Sequence, residues 1–170
     1  MIQKFWSVRP MEEGDRSFVV KSWLSSAESA APHTKFLRLP YLQDVNRALG
    51  GQLRDAWFVQ YHSEVEQVVD RATCLVACMI DEPEVIVGFI VGEVHSTGPL
   101  VIHWTYSRNR YRNLGIANSL VEALKEELTH DGSLVVVTNT TPSVRLQVQR
   151  RNYHMVPMIA FQGREKRESR

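Results

Sequence analysis

The 170-residue chain holds only two cysteines, and both fall in Ala72-Thr73-Cys74-Leu75-Val76-Ala77-Cys78-Met79-Ile80, a stretch that reads as a strand. Four residues along a strand separate two Cα atoms by roughly 13 Å, too far for a disulfide. Core packing in a reducing compartment is the expectation for both thiols, with a reactive thiol or a metal ligand as the lesser alternative. Long apolar runs are missing as well: residues 85–91 form the longest, with Gly88 inside it, far short of the roughly 20 residues a membrane-spanning helix needs. The first ten residues carry neither the apolar segment nor the small-residue cleavage site of a secretory signal, so a cytoplasmic protein with no membrane partner is expected. Net charge is nearly absent, 20 Lys and Arg against 19 Asp and Glu, which argues against nucleic acid as a partner. His33, His62, His95, His130 and His154 show no zinc-ligand spacing with each other or with the cysteines, and no metal is expected. There is no Gly-x-x-x-x-Gly-Lys phosphate loop and no Gly-x-Ser-x-Gly elbow, so those nucleotide-hydrolysing and serine-hydrolase classes drop out. Asn139-Thr140-Thr141 matches a glycosylation sequon but reads as the loop after a strand.

What is present is an ordinary globular composition, 44% hydrophobic and 23% charged, in a length suited to one domain. The reading is a single domain over residues 1–162 and a polar, fraying tail over 163–170. Residues 5–9 alternate like a short strand, and a helix follows through about Leu24. Residues 25–32, rich in Ser and Ala and ending at Pro32, read as a loop, and residues 42–69 as a helical region broken at Gly50-Gly51. Strands over 72–80 and 85–94 form a hairpin around an acidic turn. A strand over 100–107 leads through 108–115 into a helix from Ile116 to about Leu128, whose Ala117, Leu120, Val121, Leu124 and Leu128 make one apolar stripe. A strand over 133–138, a short helix over 142–151 and a last strand over 153–161 complete the order.

Residues 112–117 therefore lie where a strand's C-terminal end feeds a helix N-terminus, a place where backbone N–H groups and the helix dipole can hold an anion. Gly115 permits close approach of a ligand, Ala117 keeps the first turn small, and Arg112, with Arg108 and Arg110, adds positive charge. Taken as an isolated short motif, a solvated basic loop is the plainer alternative.

Tyr111-Arg112-Asn113-Leu114-Gly115-Ile116-Ala117 resembles the Arg/Gln-x-x-Gly-x-Gly/Ala motif of the GCN5-related N-acetyltransferase (GNAT) superfamily. Residues 100–107 are similar to that family's fourth strand, 134–138 to its fifth, and Val8-Arg9-Pro10 with Gly14-Asp15 to its usual opening, so the likeness spans nearly the whole chain. The resemblance implies an α/β (α+β) fold with a central mixed, mostly antiparallel sheet of about six to seven strands and helices on both faces. It implies acetyl-coenzyme A as co-substrate, its pyrophosphate on the backbone of Arg112, Asn113, Leu114, Gly115, Ile116 and Ala117, and its pantetheine arm along Thr105, Tyr106 and Ser107. It further implies transfer of the acetyl group to a primary amine, of a protein or a small molecule, by direct attack in a ternary complex, with a backbone N–H near Tyr106 or Ser107 stabilising the oxyanion. Relatives are often dimers, which raises a homodimer as an expectation.

A protonated amine needs a proton acceptor, and His103 is the candidate base on the strand, against the alternative of a hydrogen-bonded core histidine. Val101, His103, Thr105 and Ser107 share one face of that strand provided no bulge intervenes. Glu93 is the fallback base, a solvated strand residue being its plainer role. Many relatives place a tyrosine acid in the helix before the last strand, whereas the aligned position here is Gln147 or Val148, neither of which can act as an acid. Tyr106 and Tyr153 are substitutes for it, each also readable as an aromatic that anchors a strand. A thiolate with a pKa near 8.5 can leave without an acid, so turnover does not require one. Trp23, His33, Lys35, Phe36, Tyr41, Trp57 and Tyr61 could border an acceptor, though Trp23 and Trp57 read mainly as packing residues. Arg145, Arg150, Arg151 and the basic tail read as solvated surface. Two other functions stay open at this level: a non-catalytic module that binds acyl-coenzyme A, suggested by the missing tyrosine, and a toxin-like acetyltransferase acting on aminoacyl-tRNA.

Overall fold

Six strands joined in chain order make one sheet, and its hydrogen bonding changes sense only once along that order. The computed structural model describes residues 5–30, 44, 47, 48, 50, 52–138, 148, 150, 151 and 153–155. These fall into two compact units, one of residues 1–11 with 72–170 and one of residues 12–71.

The first unit contains β1 (Trp6–Pro10), β2 (Thr73–Met79), β3 (Ile86–Val94), β4 (Leu100–Ser107), β5 (Val135–Val137) and β6 (His154–Met155). The pairs β1–β2, β2–β3 and β3–β4 are antiparallel, and β4–β5 and β5–β6 are parallel. Pro10, which has no N–H to give a ladder, closes β1 at the edge of the sheet order. The acidic turn after β2 closes as expected: Met79 N–H donates to the Val85 carbonyl at 3.0 Å and Val85 N–H to the Glu82 carbonyl at 2.8 Å.

The helix Ile116–Glu127, here numbered α3 by its place in the chain, lies on one face of this sheet. Its Ile116, Leu120, Val121 and Leu124 are buried with Leu75, Ala77, Ile90, Leu100, Ile102, Val135 and Val137 in one cluster. Each fully buried leucine contributes roughly 1.5–3 kcal/mol. The helix approaches closely because β3 presents glycine beneath it: a Cβ on Gly92 would lie 2.7 Å from Leu124 Cδ2 and 2.7 Å from the Val101 carbonyl oxygen. After Leu128 the helix ends with Thr129 at φ 51°, Thr129 N–H on the Glu126 carbonyl and His130 N–H on the Lys125 carbonyl. Glycine usually holds that left-handed position.

The second unit holds a 3-10 turn, Glu13–Asp15, then α1 (Arg16–Ala30) and α2 (Gln52–Arg71). Arg16 ties the helices together, donating to both carboxylate oxygens of Asp70 at 2.8 and 3.0 Å. Trp23 Nε1–H donates to the Tyr61 hydroxyl at 3.0 Å, and Trp23 is buried, in keeping with a packing role. Residues 25–30, expected as a loop, continue α1 instead. Alanine favours helix, and the Ser26 hydroxyl donates to the Ser22 carbonyl at 2.6 Å rather than interrupting the turn. Residues 44, 47 and 48 are helical and Gly50 stands in a turn, while Gly51 lies outside the described residues. So do most of the expected helix over 142–151, the last strand beyond Met155, the sequon and the tail.

Candidate active site and anion cradle

The chemistry-bearing residues of the first unit collect around the C-terminal half of β4. Its parallel ladder with β5 runs from Leu100 and Val135 to Ile102 and Val137. Beyond that, Thr138 N–H donates to the Ile102 carbonyl at 3.1 Å and the Thr138 hydroxyl to the His103 carbonyl at 3.2 Å.

A β-bulge at His103 sets the geometry of the rest of β4. Trp104 faces Val91 across the β3–β4 ladder and Ile102 faces Gly92, so His103 is the extra residue. The proviso that no bulge intervenes therefore fails, and the expected common face of Val101, His103, Thr105 and Ser107 is corrected. Thr105 lies opposite Ile90 and Ser107 opposite Gly88, on the α3 side, whereas Tyr106 shares the other side with Phe89, its ring stacked on the Phe89 ring at 5.3 Å. The bulge also exchanges backbone directions. Leu100 N–H donates to the Leu134 carbonyl and the Ile102 carbonyl accepts from Thr138, both on the β5 side. After the bulge, Arg108 N–H donates to the Val87 carbonyl at 2.9 Å, so by alternation the N–H and C=O groups of Thr105 and Ser107 point toward the β5 side, past the end of the described ladder.

His103 Nε2 lies 2.8 Å from Glu93 Oε1. The imidazole is 4% exposed and the Glu93 side chain 28%. His103 is thus a core histidine with a hydrogen-bonded partner, and that partner is the other candidate base. Glu93 is held by a partner rather than freely solvated, which corrects its plainer reading.

At the end of β4, residues 109–111 make a 3-10 turn, with Tyr111 N–H on the Arg108 carbonyl at 2.9 Å and Arg112 N–H on the Asn109 carbonyl at 3.2 Å. The Arg110 guanidinium sits 4.7 Å from the Tyr111 ring centroid, and Tyr111 packs on Phe5 at 5.8 Å. This anchors the loop to the sheet while Arg112, Asn113, Leu114 and Gly115 remain exposed. Asn113 has φ 65°, and Gly115 is the N-cap of α3 with φ 85° and ψ 2°. No side chain caps that N-terminus, so the first-turn N–H groups face outward beside Arg112. A Cβ built on Gly115 meets nothing within 4 Å, so open space lies over the cradle. The Ile116 side chain turns into the core and only its backbone can serve a ligand. An uncapped helix start, a left-handed glycine and an exposed guanidinium together fit a phosphate group.

Of the acid candidates, Val148 is helical and packs against the core, and Gln147 lies outside the described residues. Tyr153 also packs there, its hydroxyl accepting from Arg151 Nη1 at 3.2 Å. His33, Lys35, Phe36, Tyr41 and Arg145 lie outside the described residues, as does the side chain of Trp57. Arg150 is exposed, and Arg151 pairs with Glu122 at 3.2 Å. Thr138 carries no signal in the sequence; nothing short of strand register shows that its hydroxyl meets the bulge. Among the described residues, no three His, Cys, Asp or Glu side chains gather as metal ligands would, and no helix is long and apolar enough to cross a membrane.

Solved structures share this architecture. The chain is 16% identical to the ribosomal-protein-alanine N-acetyltransferase from Brucella melitensis biovar Abortus 2308, covering 94% of this chain and 99% of that one with a TM-score of 0.52. It is 14% identical to the aminoglycoside N-acetyltransferase AAC(6')-Iy in complex with CoA, covering 98% and 99% with a TM-score of 0.51. An acetyltransferase of the GNAT family from Staphylococcus aureus Mu50 is 11% identical over 86% of this chain and 81% of that one, with a TM-score of 0.51. At such identities the likeness is one of fold. No curated protein sequence matches the chain. The model of the acetyltransferase (GNAT) family does match, over residues 40–150, a span that includes β2 to β5, the bulge and the cradle. The chain belongs to the GNAT acetyltransferase family.

Proposed function

We propose that this protein moves the acetyl group of acetyl-coenzyme A to a primary amine. The observation that carries the reading is the uncapped N-terminus of α3 behind Gly115, directly after the bulged strand. In this reading the pyrophosphate accepts hydrogen bonds from the backbone N–H groups around Gly115, Ile116 and Ala117, with Arg112 beside them. Thr105 and Ser107 offer backbone groups to the pantetheine arm, and Tyr106, stacked on Phe89, holds that segment of strand in place. Because the Tyr106 N–H is directed to β3, the Ser107 N–H is the oxyanion donor in this reading. Acetyl-coenzyme A supplies an acetyl group activated as a thioester. Two of the similar structures are a ribosomal-protein-alanine N-acetyltransferase and an aminoglycoside N-acetyltransferase, which supports an amine acceptor here without choosing among protein, polyamine and aminoglycoside.

Calorimetric titration of acetyl-coenzyme A at fixed salt, followed by a free-thiol assay with a panel of amines, tests this. Binding with amine-dependent thiol release is expected. No binding would refute the cradle, and binding without release for any amine would favour the non-catalytic acyl-coenzyme A module.

A further inference from the structure

Within the described part of the sheet, β3 carries one carboxylate, Glu93, and β4 one imidazole, His103, and the bulge brings the two together. Glu93 lies opposite Val101, on the side of the sheet away from α3. Without the extra residue, the alternation of β4 would not place both His103 and Trp104 against this stretch of β3. Thr138 fixes the other flank through its bond to the His103 carbonyl. The imidazole is thus buried, held at its backbone by Thr138 and at Nε2 by Glu93, while the carboxylate keeps about a quarter of its surface in solvent. A group that accepts a proton from an incoming substrate must be reachable. Glu93 meets that condition and His103 does not.

We propose that Glu93 is the catalytic base and that His103 is a positioning residue which orients the Glu93 carboxylate through Nε2–H, so that the acceptor enters as a cationic amine attracted to Glu93. This rests on the acetyltransferase reading above. The ammonium gives one proton to Glu93, which passes it to solvent at its exposed side. The amine nitrogen forms its bond to the acetyl carbon as the carbon–sulfur bond breaks, and the second proton leaves on the coenzyme A sulfur. The other described titratable groups on this sheet face are Arg9, Cys74, Cys78, Tyr106 and His154. Cys78 lies 3.7 Å from the Ser7 hydroxyl and Tyr106 is stacked on Phe89.

The test compares wild type, Glu93→Gln, Glu93→Asp, His103→Gln and His103→Ala, with acetyl-coenzyme A binding by calorimetry and turnover of ethylamine, spermidine, kanamycin and a lysine peptide by thiol release from pH 6 to 10. Glu93→Gln is expected to lower kcat by about 10²–10⁴-fold, to bind acetyl-coenzyme A within about twofold of wild type, and to regain rate as rising pH supplies free amine. Glu93→Asp should retain part of the rate. His103→Gln, which keeps an N–H donor, should hold most of the rate, and His103→Ala should lose about tenfold with a displaced pH profile. An unchanged rate and pH profile in Glu93→Gln would overturn the proposal, as would His103→Gln failing as badly as Glu93→Gln, which would make His103 the base. Acetyl-coenzyme A binding with no turnover of any amine by wild type also overturns it. Absence of binding instead refutes the reading beneath it.

Discussion

Replacing Gly115 by alanine separates the two reasons a glycine can be needed there. Its φ of 85° lies in the left-handed region, where an L-residue costs about 1–2 kcal/mol. Its Cβ would meet nothing within 4 Å, so no packing penalty adds to that strain. At this chain length the strain corresponds to a melting point lower by roughly 2–8 °C. The variant should therefore fold, whereas valine, which has a β-branch, would be strained further. The new methyl group occupies the open side of the cradle, and acetyl-coenzyme A affinity should fall at least about tenfold, equivalent to about 1.4 kcal/mol. Thermal melting with and without ligand reads both effects. Ligand at 100 times its Kd stabilises wild type by about 2.7 kcal/mol, a shift of roughly 5–11 °C, and the alanine variant at the same concentration should show much less. Gly115→Asn is the control, since asparagine tolerates the left-handed region but also fills the space. An alanine variant that melts lower yet shifts with ligand as wild type does would refute the cradle, leaving Gly115 a purely conformational requirement of the α3 start.

Thr129 holds a left-handed φ of 51° at the exposed end of α3, so Thr129→Gly should raise stability by about 1 kcal/mol in urea unfolding, without altering coenzyme binding. Gly92→Ala should do the opposite: its Cβ meets Leu124 Cδ2 and the Val101 carbonyl oxygen at 2.7 Å, and a loss of about 2–3 kcal/mol is expected from the same measurement. Burial pushes the Tyr61 phenol up to about 12 from the usual 10.0. Because the unfolded chain then ionises first, stability should be level below pH 10 and fall by about 2–3 kcal/mol as pH rises from 10 to 12. Tyr61→Phe should remove that fall, and a slope that survives the substitution would assign it to another group.

The parts of this fold that can be read from the sequence are those in which one face is buried and the other is not. The α3 stripe alternates with exposed Asn118, Glu122 and Glu126, so its period and its start at Ile116 are readable, and Arg112 and Gly115 before it mark the cradle. Residues 25–30 mislead because serine usually breaks a helix, whereas here it bonds back to its own. The bulge is illegible for a different reason. Leu100, Val101, Ile102, His103 and Trp104 are all buried, so β4 carries no alternation that a one-residue insertion could visibly break. Only pairing with β3 reveals it, and the Glu93–His103 contact depends on it. One inserted residue thus turns a buried imidazole toward a carboxylate on the neighbouring strand, and two and four residues later Thr105 and Ser107 have backbone donors directed to the β5 side, past the end of the described ladder. If that coupling is right, deleting His103 outright should do what no side-chain substitution can. It would remove the bulge and the imidazole together while leaving Ile102 opposite Gly92 and Trp104 opposite Val91, so Thr105 and Ser107 keep their β5-side direction; acetyl-coenzyme A binding should persist while turnover falls, whereas His103→Ala removes the imidazole and keeps the bulge.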